Sequence, residues 1–113
     1  MRWLVLVVVG VMLSAVPARA DVMNGKELQG FCMPHQASNF DMGTCLGYIT
    51  GIADAIHRST VDIYGWRVCM GDEVTVERMH DAVINFLNAN PQYLDLDADS
   101  LVARALSDAF PCT

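Results

Sequence analysis

The chain has 113 residues, with 13 Asp and Glu against 7 Lys and Arg, a formal charge of −6 at neutral pH. That length holds one domain. That charge repels nucleic-acid phosphates and anionic lipid head groups, which excludes nucleic acid and membrane surfaces as expected partners.

The first predicted element is residues 1–20, MRWLVLVVVGVMLSAVPARA. Arg2 precedes an apolar run from Trp3 to Leu13, and Ala18-Arg19-Ala20 gives a small-x-small cleavage pattern. This is expected to be a secretory signal peptide, cut before Asp21. The apolar run is short for a bilayer span, so no membrane attachment is expected after cleavage. Residues 21–113 then form a single domain, with five basic residues against all thirteen acidic ones, a net of −8. Such a surface suits a basic protein partner.

Export to an oxidising compartment decides how the cysteines read. Cys32, Cys45, Cys69 and Cys112 all follow the leader, and an even count in a small exported domain implies two disulfides. Three pairings exist. Cys32–Cys45 with Cys69–Cys112 is favoured, because each bridge then ties a helix end to a neighbouring segment. Cross-links of those loop lengths stabilise by about 3 and 4 kcal/mol through the unfolded chain. This pairing leaves no thiol for catalysis.

Four helices follow from apolar spacing. The first is capped by Asn24 with Glu27 three residues on, as in a capping box, and Leu28, Phe31 and Cys32 share a face. Residues 33–44, MPHQASNFDMGT, are rich in turn formers and are expected to end it. The second helix is expected from Thr44 to Ser59, with Ile49, Ile52, Ala53 and Ile56 as its buried stripe. Within it, Gly47, Tyr48, Gly51 and Asp54 form a structural motif. Interior glycines cost roughly 1 kcal/mol each, so Gly47 and Gly51 are expected to admit a neighbouring backbone or ring. Asp54 is expected to accept hydrogen bonds from adjoining backbone.

Residues 60–73, TVDIYGWRVCMGDE, carry no helical period. The third helix is expected from Thr75 to Asn90, where Pro91 forbids continuation; Val76, Met79, Val83, Phe86 and Leu87 make its apolar face. The fourth is expected from Asp97 to the stop at Pro111, with Ala98, Leu101, Val102, Ala105, Leu106 and Ala109 facing inward. The expected fold is all-α, a small four-helix bundle stapled by two disulfides.

Catalytic readings are weak. A nucleophilic cysteine needs a lowered pKa and a partnered base, and disulfide pairing removes it. Two acid-x-x-His pairs, Asp54 with His57 and Glu77 with His80, have the spacing used in di-metal bundles. Such a centre needs two further inward glutamates and the remaining helices offer only Glu27, so ordinary pairing along a helix surface explains both. No catalytic residue, metal or cofactor is therefore expected. Asp62, Tyr64, Trp66 and Arg67 cluster the residue types that dominate protein interfaces. They serve as partner contacts or as a cover for the open end of the core, and both readings stand at this point.

The blocks CLGYITGIADA, VCMGDEVT, VINFLNANPQYL and ADSLVARALSDAFPC, in that order, resemble the Rap/Tai family of type VI secretion immunity proteins. The resemblance runs from about Leu28 to Cys112. It implies a small, exported, helical, disulfide-containing protein without catalysis, often a homodimer, that binds and blocks a peptidoglycan amidase effector. A periplasmic accessory or chaperone-like helical protein with no toxin partner is the other reading these residues allow.

Overall fold

The computed structural model describes residues 22–57 and 65–112. The expected leader, and Asp62 and Tyr64, lie outside the described residues. Four helices are present, α1 (Gly25–Cys32), α2 (Asn39–His57), α3 (Val76–Ala89) and α4 (Ala98–Ala109), with a short 3-10 turn at Pro91–Tyr93. Among the described residues no strand forms. An isolated antiparallel bridge joins Asn24 to Asp97. The all-α expectation holds.

Local sequence sets the starts of the first three helices. Asn24 Oδ1 accepts from the Glu27 N–H at 2.9 Å, and Thr75 Oγ1 accepts from the Arg78 N–H at 3.2 Å. Each satisfies an orphan donor of the first turn. The second helix departs from expectation, because it begins at Asn39 rather than Thr44. Ser38 and Asp41 cap it reciprocally. Asp41 N–H donates to Ser38 Oγ at 3.1 Å, and Ser38 N–H donates to Asp41 Oδ2 at 3.3 Å. This capping box draws residues 39–43 into the helix despite Gly43.

The core gathers one face from each helix. Leu28, Ile49, Val83, Leu87, Val102 and Leu106 are the large side chains with almost no exposure. Each of the four helices touches the other three, and α4 carries the most buried residues. Ala98, Leu101, Val102, Ala103, Ala105 and Leu106 are all buried along it, whereas the expected Ala109 is exposed. On α3 the inward set is Met79, Val83, Ile84 and Leu87. Val76, expected inside, is 37% exposed at the first turn.

Both disulfides have the expected pairing, Cys32–Cys45 with Cα atoms 5.2 Å apart and Cys69–Cys112 at 5.0 Å. The first joins α1 to α2. The second ties the segment after Trp66 to the C-terminus, and Cys69 N–H also donates to the Phe110 carbonyl at 3.0 Å.

The glycine expectation is corrected. Gly47 and Gly51 are solvent-exposed, and a Cβ on either would meet nothing within 4 Å. They lie on the face of α2 opposite Ile49 and Ala53, away from the core. Close approach occurs instead at the buried Gly25, where a Cβ would lie 3.2 Å from the Leu94 backbone and 2.5 Å from Leu101 Cδ1. Gly25 and Lys26 N–H groups donate to the Leu96 and Leu94 carbonyls at 3.0 and 2.9 Å, and Ala98 N–H donates to Met23 O at 2.8 Å. The start of α1 is thereby laced to the turn before α4.

Candidate functional site

Two features stand outside the core. The first is a cleft of about 270 Å³ between α2 and the segment before α3, with Asp54, His57 and Asp72 at its edge and Ala53 and Met79 beneath. Asp54 is exposed there and receives no hydrogen bond among the described residues, so the expected tie to adjoining backbone does not form. It sits on the solvent side of α2, one turn beyond Gly51. His57 at the helix end is equally exposed.

The two acid-x-x-His pairs do not behave as pairs. His80 turns from Glu77: its Nδ1 faces Asp81 Oδ1 at 3.2 Å and its Nε2 faces the Cys32 carbonyl at 3.0 Å. The carbonyl only accepts, so Nε2 carries a proton. The interaction fastens α3 to the end of α1. Among the described residues no group of three His, Cys, Asp or Glu is arranged to hold a metal ion. All four cysteines are in disulfides, so no thiol is available as a nucleophile. Buried polar or charged side chains are absent among the described residues.

The second feature is an aromatic shell around Arg104 on α4. The guanidinium carbon Cζ lies 5.5 Å from the Trp66 ring centroid, 5.7 Å from Phe86 and 5.0 Å from Tyr93. Phe86 and Tyr93 stack on each other at 6.5 Å with 19° between planes. These rings come from the loop after α2, from α3 and from the 3-10 turn. All four side chains are half-buried. Trp66 was expected at a contact surface or over the end of the core, and it does pack against the core while keeping part of its ring outside. Arg67 is exposed beside it. Arg104, Phe86 and Tyr93 were not foreseen as site residues. Arg104 interrupts an apolar helix between Ala103 and Ala105, and that was the signal available.

A family model described as Rap1a immunity proteins matches residues 24–112 of the chain. The chain belongs to the Rap1a immunity protein family. The match begins at the cap of α1 and ends at the second disulfide, so it takes in both bridges and every described helix of this Rap1a-family domain. A search of curated proteins gave no match. No helix among the described residues of this family member is long and apolar enough to cross a membrane.

Proposed function

We propose that the protein is a periplasmic immunity protein that binds a peptidoglycan amidase effector of a type VI secretion system and occludes its cleft. Membership of the Rap1a immunity family carries this reading. Three features support it. The sequence opens with a signal-peptide pattern, and the domain holds two disulfides, which suit an oxidising compartment. The exported part is strongly acidic, which favours docking against a basic cleft and speeds encounter. The half-buried cluster of Trp66, Phe86, Tyr93 and Arg104 joins residue types enriched at protein interfaces.

The contact is proposed to lie in segment 60–73, with Asp62, Tyr64, Trp66 and Arg67 as the residues that carry it. The test is periplasmic co-expression with an amidase encoded beside this gene. Wild-type protein is expected to prevent lysis, and lysis that continues in its presence overturns the immunity reading. A Tyr64→Ala, Trp66→Ala double variant that stays folded is expected to lose rescue; full rescue by it moves the contact elsewhere.

A further inference from the structure

We propose that Arg104 and its aromatic shell form a docking site for a single carboxylate side chain presented by a protein partner. This rests on the reading of the chain as a partner-binding protein and adds the chemistry of what the partner brings.

The guanidinium is the focus. Arg104 makes no hydrogen bond and no ion pair among the described residues, although carboxylates abound in the chain. Asp108 stands four residues along the same helix, a spacing at which Arg and Asp commonly pair, and it does not pair with Arg104. Arg78 offers a contrast. It too lies over a ring, 5.3 Å from Phe110, but its Nη1 donates to the Glu73 carbonyl at 3.4 Å. Arg104 alone of these two keeps its donors unspent while three ring centroids lie within 5.7 Å of its guanidinium carbon.

Ring contacts cover the faces of a guanidinium and leave its in-plane N–H edge open. The group whose geometry matches that edge is a carboxylate, which accepts two parallel hydrogen bonds. Half-burial among three rings lowers the local dielectric, so such a pair is stronger here than on an open surface. Trp, Tyr and Arg together are the residue types enriched at the energetic centres of interfaces.

Net charge narrows the occupant further. The exported part carries −8, so a broadly acidic partner is repelled at a distance. The site therefore selects one Asp or Glu on an otherwise neutral or basic surface. Repulsion screens out over about 8 Å at physiological salt, and the local pair survives that screening best.

The test uses the exported, oxidised protein with Trp3→Phe, so that Trp66 is the single indole whichever N-terminus is present. It is titrated with acetyl-Gly-Glu-Gly-amide and, separately, with the isosteric acetyl-Gly-Gln-Gly-amide, following the Arg104 Nε–H and Trp66 indole N–H resonances. The glutamate peptide is expected to shift both saturably, and the glutamine peptide to leave Arg104 unmoved. Arg104→Met is expected to abolish the Trp66 response. Arg104→Lys, which keeps the charge and loses the planar edge, is expected to weaken it several-fold. Equal responses to the two peptides, or no movement of Arg104 up to the solubility limit, overturns the proposal. The wild-type comparison decides even if a variant fails to fold. No effector is present, so this result is separate from the lysis-rescue assay: loss of rescue by wild-type protein counts against the immunity reading, and a silent titration counts against this site.

Discussion

His80 Nε2 donates to the carbonyl of Cys32 across 3.0 Å, joining the middle of the third helix to the last residue of the first. Cys32 has no exposed surface, so water does not readily replace that donor. The carbonyl is also one of the acceptors left over at a helix end. His80→Ala is expected to cost about 1–2 kcal/mol, the usual penalty for stranding a shielded acceptor. His80→Gln, which restores an N–H donor, should recover part of it. Denaturant midpoints of the three proteins check this, and equal midpoints would remove the interaction from any account of stability.

The glycines divide by environment, with opposite signs. Gly25→Ala drives a methyl against Leu101 and the Leu94 backbone and is expected to destabilise by about 1–3 kcal/mol, the usual range for overpacking. Gly47→Ala and Gly51→Ala add a methyl in open space on a helix. Each is expected to stabilise by up to about 1 kcal/mol through helix propensity. Chemical denaturation of the single variants reads both signs.

Ser38→Ala removes one half of the capping box that begins the second helix. The expected loss is about 1 kcal/mol. Amide exchange in residues 39–43 should quicken more than exchange in residues 49–56, because the effect is local to the first turn. A uniform change along the helix would contradict this assignment.

Each disulfide is predicted to contribute an amount that grows with the logarithm of the loop it closes. Replacing Cys32 and Cys45 by serine is expected to cost about 3 kcal/mol, and replacing Cys69 and Cys112 about 4 kcal/mol, because the sequence separations are 13 and 43. Thiol titration of the oxidised wild-type protein should find no free sulfhydryl. Equal losses from the two replacements would show that loop length is not what sets their contributions.

Much of the architecture could be read before any coordinates. Asn24 and Thr75 have short polar side chains at helix starts, and Pro91 and Pro111 lack the N–H that continuation requires, so local chemistry alone placed most boundaries. The misplaced boundary at residue 39 has a local cause as well. Ser38 and Asp41 form a cap that was readable, but Gly43 and Pro34 pointed to a turn and outweighed it. Glycine costs a helix only a fraction of what a cap and a long apolar stripe return.

The site was less legible. Trp66 stood out as an interface residue type, whereas Phe86 read as core and Arg104 carried no reading of its own. Gly47 and Gly51 suggested close packing by their spacing, and spacing cannot say which side of a helix a neighbour occupies.

Local sequence determined what each segment does on its own: where most helices cap and stop, and which faces are apolar. Only the tertiary structure decided which residues far apart in the chain meet. Gly25 came to lie under Leu101, His80 to reach Cys32, and rings from three separate segments to enclose Arg104. The reason is physical. Capping and periodicity are contacts over three or four residues, whereas these meetings depend on how four helices pack, and no single helix carries that information.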